Sequence, residues 1–397
     1  MKKGWKIKKL GEIAKINYGY TEKASFNDIG PKFLRITDIK DDGVEWISVP
    51  YCKCSDMDLP KYQLKEADIV FARTGATTGK SYLVKNPPNA VFASYLIRLK
   101  LISKKDFSPE FVSYYFQTKY YWDKINAGIS GSAQGGFNAT KLGQLYFPIP
   151  PLPEQQRIVS ILNKAFAAIA KAKTNAEQNL KSAKELFESY LQGVFENGGE
   201  DWEEKALSNI GIVQTGTTPP TKDKSNYGDY IPFAKPPHFR PNGSIDTGES
   251  MLSKKGLEKG RLFATNSVLM VCIGATIGKT GFSEKPITSN QQINALTPSN
   301  NYLPKLLYYA LISPFVQKQV LEQGRSAQAT LPIINKTKWK KLLVNIPKDK
   351  TKQSEIIEVL DKLKIHSQKL EANYQQKIVD LEKLKKSVLQ KAFNGEL

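Results

Sequence analysis

The sequence predicts an α+β protein: two tandem-repeated globules separated by two long α-helices, which pair as an intramolecular antiparallel coiled coil with pseudo-twofold symmetry. Three observations predict it. The chain reads twice, each repeat opens on a stretch of short β-rich runs punctuated by Pro, Gly and aromatic residues, and each closes on a proline-free heptad stretch. At 397 residues the chain has room for two or three domains and ample core.

The duplication is read from matched residues in matched order. Trp5, Leu10, Ile13, Ile16 and Gly19 recur 197 positions later as Trp202, Leu207, Ile210, Val213 and Gly216. Gly75-Ala76-Thr77-Thr78-Gly79-Lys80 recurs as Gly274-Ala275-Thr276-Ile277-Gly278-Lys279, and Ser132-Ala133-Gln134 as Ser326-Ala327-Gln328. Ile158, Leu162, Leu186 and Phe195 then meet Ile356, Leu360, Leu384 and Phe393 at a displacement of 198. The implied parts are a globule over 1–152, a helix over 153–198, a globule over 199–350 and a helix over 351–397.

Within the globules, Asp68 to Ala72 and Ser267 to Val271 are apolar runs of strand length. Pro109 to Asn126 and Pro304 to Gln323 each open with Pro and carry apolar residues at helical spacing, which predicts one helix in each copy. The first of these holds Tyr114, Tyr115, Phe116, Tyr120, Tyr121 and Trp122. Packing into the globule is favoured over stacking on bases, because the second copy puts Tyr309, Ala310 and Leu311 at such positions.

The stretch from Glu154 to Asn197 contains no proline, and apolar or small residues fall at alternating steps of four and three: Ile158, Leu162, Ala165, Ile169, Ala172, Ala176, Asn179, Ala183, Leu186 and Tyr190. The second copy repeats the pattern at Ile356, Leu360, Leu363, Ser367, Leu370, Tyr374, Lys377, Leu381, Leu384 and Val388. Small residues crowd the first seam and bulkier ones the second, so the two are expected to pair with each other. The packing residues expected to matter most are Ile158, Leu162, Ile169, Leu186, Ile356, Leu360, Leu363, Leu370, Leu381 and Leu384. Asn197-Gly198 and Asn394-Gly395 should end both helices in a left-handed cap. At about 1.5 Å per residue such a helix extends roughly 60 to 65 Å and can act as a spacer.

Charge points to the partner. Lys and Arg number 58 against 38 Asp and Glu, a net +20, which favours a polyanion. No stretch reaches 18 consecutive apolar residues and the start lacks a signal-type apolar run, so the expected location is cytoplasmic and nucleic acid is favoured over membrane. Three cysteines and two histidines supply neither a disulfide framework nor a metal cluster: Cys52-x-Cys54 has no second ligand pair. There is no nucleophile elbow, and neither Gly75 to Ser81 nor its twin meets the Walker A spacing, since the first glycine would fall at Thr74 and Ile273. Asn86-Pro87-Pro88-Asn89 lacks the aromatic fourth residue of an adenine methyltransferase box and reads as a surface turn. No catalytic residue, metal or cofactor is expected.

The glycine-flanked turns have two readings: a cradle for a nucleic-acid phosphate or base edge, or a tight turn needing positive φ at Gly75 and Gly79. Residues suited to groove contacts recur in matched places. In the first copy they are Arg35, Asp38, Arg73, Thr77, Thr78, Lys80, Ser132 and Gln134; in the second, Lys235, His238, Arg240, Thr276, Lys279, Arg325, Ser326 and Gln328. Asp38 or Glu66 could accept from a cytosine amino group or merely hold an arginine in place.

This organisation resembles the DNA specificity subunits of type I restriction-modification enzymes over essentially the whole chain. The resemblance rests on the alternation of globule and long helix, on Trp-x4-Leu-x2-Ile at Trp5 and Trp202, on Gly-Ala-Thr-x-Gly-Lys at 75 and 274, and on Pro151-Leu152-Pro153-Glu154-Gln155-Gln156-x-Ile158. The second helix departs from the last motif and keeps only Gln353 and Ile356. The resemblance implies that each globule is a target-recognition domain reading one half of a split, asymmetric site in double-stranded DNA. It implies that the coil sets the unread spacer, and that the helices dock two DNA adenine methyltransferase subunits, with restriction and translocase subunits joining them. The chemistry would belong to those partners. The competing reading is a coiled-coil adaptor that binds nucleic acid without sequence preference.

Overall fold

The structure, a computed structural model, describes residues 4–40, 43–130, 137–324 and 332–397. The chain forms two compact units, Met1–Ala176 with Gln376–Leu397, and Glu177–Gln375, so each unit holds one globule and a segment of both long helices.

In the first unit an antiparallel sheet runs in the order Ala14–Tyr18, Leu96–Leu101, Ile69–Ala72, Ser81–Leu83. Beside it Lys32–Leu34 pairs in parallel with Ala90–Phe92, and Lys6–Lys9 pairs antiparallel with Tyr146–Ile149, just ahead of the first long helix. The second unit repeats every piece. Its sheet runs Gly211–Thr215, Ile293–Pro298, Ser267–Val271, Thr280–Ser283. Tyr227–Ala234 pairs in parallel with Ile287–Ser289, and Trp202–Ala206 pairs antiparallel with Leu343–Pro347. The runs at Ile69–Ala72 and Ser267–Val271 are buried throughout, which is why they read as unbroken apolar stretches rather than alternating ones.

Two of the shared pairs, Gly19 with Gly216 and Gln155 with Gln353, are set by contacts to backbone. A Cβ on Gly19 would stand 2.2 Å from the Ala93 oxygen, and one on Gly216 2.1 Å from the Asn290 oxygen, so the first sheet strand passes the neighbouring chain too closely for any side chain. Gln155 is fully buried: its Oε1 accepts from Ser108 N at 2.8 Å, and its Nε2 donates to the Asp106 and Pro150 oxygens at 3.0 and 2.9 Å. Gln353 repeats the pattern, accepting from Leu303 N at 2.8 Å and donating to the Asn301 and Pro347 oxygens at 3.2 and 2.9 Å. One amide thus satisfies three main-chain groups and fastens the foot of each long helix to its globule.

Each stretch expected to form one helix forms two. Pro109–Tyr115 is followed by Lys119–Ser130, and Pro304–Ile312 by Pro314–Gly324. Pro314 cannot donate to the preceding turn and leaves Ser313 extended, at ψ 146°. In the first copy Thr118 breaks the run by bonding the Tyr115 oxygen at 2.7 Å while accepting from Tyr121 N at 3.2 Å, and Ser313 makes the equivalent bond to the Ala310 oxygen at 2.6 Å. Tyr115, Phe116 and Tyr121 are buried in the core, the packing role expected of the aromatic run.

The long helices span Leu152–Asn197 and Lys350–Asn394, and Gly198 and Gly395 follow at φ +56° and +78°. Within each unit their segments pair antiparallel. In the first, Ile158 and Leu162 pack in one core with Leu389 and Ala392, and Lys173 meets Glu382 at 2.8 Å. In the second, Leu191 and Phe195 share a core with Leu360, and Ser367 donates to the Ala183 oxygen at 2.6 Å.

The stripe that packs differs from the heptad reading. Ile158, Leu162, Ala165, Ile169, Ala172 and Ala176 are buried or half-buried, but the stripe continues through Leu180, Ala183, Phe187, Leu191 and Val194. It therefore follows the 3.6-residue period of a straight helix, which drifts off a strict 3.5 repeat. Leu186 is consequently 55% exposed, and Tyr190 is exposed too. The second helix drifts likewise: Leu360 is buried and Ile356, Leu363 and Leu381 are half-buried, whereas Leu370 and Leu384 are 39% and 49% exposed. Leu186, Leu370 and Leu384 are thus not packing residues of this helix pair.

Candidate nucleic-acid interface

Main-chain hydrogen bonds gather the ends of several strands at one end of each globule. In the first, Ala93 N donates to the Leu34 oxygen at 2.9 Å, Tyr20 N to the Phe92 oxygen at 2.7 Å, Gly19 N to the Leu96 oxygen at 3.1 Å and Arg73 N to the Tyr95 oxygen at 3.1 Å. This brings Tyr18, Arg35, Arg73 and Tyr95 to a common edge, with Tyr18 and Tyr95 42% and 59% exposed. The Arg73 guanidinium carbon lies 4.9 Å from the centre of the Tyr18 ring, and the Tyr18 hydroxyl accepts from Ala139 N at 3.1 Å.

Arg35 is held by Asp38, whose two carboxylate oxygens take the guanidinium at 2.8 and 3.1 Å and the Arg35 backbone N–H at 2.8 Å. That hydrogen-bonded carboxylate pushes the Arg35 pKa further up. Asp38 is therefore spent on arginine rather than offered to a base. Glu66 accepts from Asn86 N at 2.6 Å before the strand Ile69–Ala72 begins, the opposite end from Arg73, so it does not belong to this edge.

The second globule builds the same edge from other side chains. Asn290 N donates to the Ala234 oxygen at 3.1 Å, Gly216 N to the Ile293 oxygen at 2.9 Å, Thr217 N to the Ser289 oxygen at 2.9 Å and Cys272 N to the Gln292 oxygen at 2.7 Å. Lys235 is exposed, with its Nζ 5.4 Å from the Phe233 ring centre, and Gln291 is exposed at the turn. His238 takes the capping place of Asp38: its Nδ1 accepts from Lys235 N at 3.1 Å. Burial first, then the charges of Lys235 and Arg240, push the His238 pKa down against the opposing charge of Asp246. Arg240 pairs with Asp246 at 2.8 Å at the surface, and Arg261 Nη1 donates to the Thr215 oxygen at 3.1 Å.

The glycine turns join Ile69–Ala72 to Ser81–Leu83 and Ser267–Val271 to Thr280–Ser283, and Gly75, Gly79, Gly274 and Gly278 all have positive φ, 78°, 97°, 97° and 87°. Their inner halves are clamped. A Cβ on Gly79 would lie 2.8 Å from the Trp122 ring, and Tyr121 donates to the Gly79 oxygen at 2.6 Å. In the second copy Gln317 Nε2 donates to the Gly278 oxygen at 3.0 Å. Thr78 is buried and bonds the Gly75 oxygen at 2.7 Å, so it shapes the turn and is not a groove contact. The outer halves are open: no atom lies within 4 Å of a Cβ on Gly75 or Gly274, Thr77 and Lys279 are exposed, and Lys80 and Thr276 are half-buried. Ser132, Gln134, Arg325, Ser326 and Gln328 lie outside the described residues.

The edge also holds residues that sequence reading missed: Tyr18, Tyr95, Arg261, Asn290 and Gln291. A signal existed for the last two, since the amide run Asn290-Gln291-Gln292 stands just ahead of the β-rich run from Ile293 where the first copy has Ala93-Ser94-Tyr95. Among the described residues no group of three or more His, Cys, Asp or Glu could hold a metal ion, and no helix is long and apolar enough to cross a membrane.

Each unit thus holds an α+β globule with a polar and cationic edge beside an antiparallel pair of long-helix segments, a duplicated scaffold that presents one such edge per copy. The profile of the type I restriction modification DNA specificity domain matches residues 2–179 and again 199–379, and the chain belongs to that family. It is similar to the specificity subunit of type I restriction enzyme HindI of Haemophilus influenzae, 30% identical over 200 residues, 49% of this chain and 42% of that protein. It also resembles the putative MjaX specificity subunit of Methanocaldococcus jannaschii, 26% identical over 58% of each chain. These alignments span about half the length of the relatives. Among solved structures, a chain from a study of complex assembly and conformational transition of the type I R-M system superposes with a TM-score of 0.77 at 18% identity, covering 100% of this chain and 99% of that one. The HsdS subunit from Thermoanaerobacter tengcongensis gives 0.65 at 19%, covering 100% and 98%. At such identities the likeness is one of fold.

Proposed function

We propose that this chain is the non-catalytic DNA-specificity subunit of a type I restriction-modification assembly, reading a bipartite, asymmetric site in double-stranded DNA. Residues 1–152 and 199–350 are the two target-recognition domains, and 153–198 and 351–397 the helical spacers between them. The helices fix the distance between half-sites and dock two DNA adenine methyltransferase subunits, which restriction and translocase subunits join; the assembly works in the cytoplasm. One observation carries the reading: a single frame occurs twice in one polypeptide, and at the same edge it carries Arg35, Arg73, Tyr18 and Tyr95 in one copy but Lys235, His238 and Gln291 in the other.

Phosphate contacts would give affinity and register, and base-edge contacts sequence. The proposed contact residues are Arg35, Arg73, Thr77 and Lys80 in the first domain and Lys235, His238, Arg240, Thr276 and Lys279 in the second. Ser132, Gln134, Arg325, Ser326 and Gln328 remain in the proposal. Asp38 acts by orienting Arg35. Selection from a random duplex pool tests the reading: two different short motifs at one fixed spacing are expected. An unenriched pool, bound in a purely salt-dependent way, would leave the adaptor reading standing instead.

A further inference from the structure

We propose that Arg73, laid on the Tyr18 ring, is the guanine-reading group of the first half-site, and that the second globule has no counterpart to it. The proposal rests on the DNA-reading function above and names the base.

Arg73 follows the last residue of the buried strand Ile69–Ala72, so a rigid element delivers it to the edge. Its main chain is tied on both sides: its N–H donates to the Tyr95 oxygen at 3.1 Å and its oxygen accepts from Phe137 N at 2.9 Å. Its guanidinium rests 4.9 Å from the Tyr18 ring centre, and that ring is pinned at its far end by Ala139 N. Among the described residues, however, no protein acceptor takes the guanidinium, and its Nε is buried without a partner.

The other two arginines of this globule are engaged. Arg35 is gripped by Asp38, and Arg98 donates to the Gln63 and Lys61 oxygens at 2.8 and 3.0 Å in the interior. A desolvated donor without an acceptor costs stability. A planar donor fork fixed on an aromatic face, with no acceptor among the described residues, is suited to the O6 and N7 of guanine, which accept two parallel N–H bonds. A phosphate contact needs no such platform, because charge alone provides it.

The second globule makes the corresponding backbone bond, from Cys272 N to the Gln292 oxygen at 2.7 Å, but the side chain there is a buried thiol that meets Asn294 Nδ2 at 3.2 Å. No cation can be offered from that position. The guanine contact therefore belongs to the first half-motif alone.

The test is duplex selection with the full chain assembled with its methyltransferase subunits, comparing the unaltered protein with Arg73→Gln, Arg73→Lys and Tyr18→Leu, together with the salt dependence of binding. One invariant G·C pair is expected in the first half-motif. Arg73→Gln should cut discrimination at that pair by at least about fivefold, the low end for a bidentate base contact. The second half-motif, the spacing and the salt slope should not change. Tyr18→Leu should weaken the same position without touching others, which keeps the claim testable if an Arg73 variant misfolds. Unchanged discrimination with a salt slope smaller by about one would make Arg73 a phosphate contact and overturn the proposal. A wild-type pool with no bipartite motif would instead overturn the functional reading itself.

Discussion

In the first globule the strand under the binding edge carries Arg98, which lies 3.7 Å from Asp68 in the interior. The second globule has Ala295 and Ser267 at the aligned places, and the Ser267 hydroxyl meets Thr297 at 2.7 Å. The place of the buried carboxylate in one copy is thus taken by a hydroxyl in the other, and the place of its arginine by alanine. The long helix differs too: Phe166 packs edge-on against Tyr114 at 5.5 Å, whereas Lys364 stands over Tyr308 and Tyr309 at 4.7 and 5.7 Å. What the copies keep in common are close contacts to main chain, at Gly19 and Gly216 and at Gln155 and Gln353, and matched core residues such as Leu10 with Leu207 and Leu162 with Leu360. What they vary includes interior pairs such as Asp68 with Arg98 and the side chains at the exposed edge, and that freedom lets one architecture present two chemistries.

The largest effect is expected where the frame is shared. Gly19→Ala and Gly216→Ala each drive a methyl group into a backbone oxygen about 2 Å away, and each should cost about 3 kcal/mol or more in denaturant unfolding. A milder loss at one site than the other would mean that the copies are not equivalent there. Arg98→Met should destabilise by about 3 kcal/mol because it strands the Asp68 carboxylate. Adding Asp68→Ser should recover most of that loss, turning the first interior into a likeness of the second.

The same pair sets a pH signature. Burial, only partly offset by the Lys65 N–H and Arg98, pushes the Asp68 pKa up. The folded state therefore holds this proton more tightly than the unfolded chain, and the associated stability is present in acid and lost as pH rises through the raised pKa. The Asp68→Ser, Arg98→Met protein should lack that acid-side slope in a denaturant titration against pH.

Gln155→Leu and Gln353→Leu leave main-chain groups unsatisfied at the feet of the long helices and should each cost about 2 kcal/mol, read by thermal unfolding. A further contrast separates the helices. Burial foremost, with Lys305 adding to it and Asp361 opposing, pushes the Lys364 pKa down to about 8. Stability should rise with pH from about 8 toward the ordinary lysine value of 10.5 and fall again on acidification. Lys364→Met should flatten this slope, and Phe166→Met in the first unit should leave it unchanged.

The frame was legible in the sequence because duplication exposes it: Gly19 with Gly216 and Gln155 with Gln353 recur for steric and hydrogen-bonding reasons that admit no other residue. The helix seam was legible in part: Leu360, Ser367, Tyr374, Leu381 and Val388 are buried or half-buried at their heptad places, whereas the first helix leaves the heptads after Ala183. Leu186 and Tyr190 are as apolar as Phe187 and Leu191, so composition could not reveal a stripe drifting at 3.6 rather than 3.5. The break at Thr118 was hidden because a buried hydroxyl, not a proline, makes it. Arg35, Arg73 and Lys235 were found as charges in matched turns. Tyr18 and Tyr95 were not, since only the strand order brings residues so far apart in sequence to one edge.

The most direct measurement is the target preference of a chain in which residues 199–350 are replaced by a second copy of residues 1–152, assembled with the same partners and selected on random duplex. If each globule reads its own half-site through its own edge, both selected half-motifs become the one read by the first globule. Two half-motifs that still differ would contradict the account.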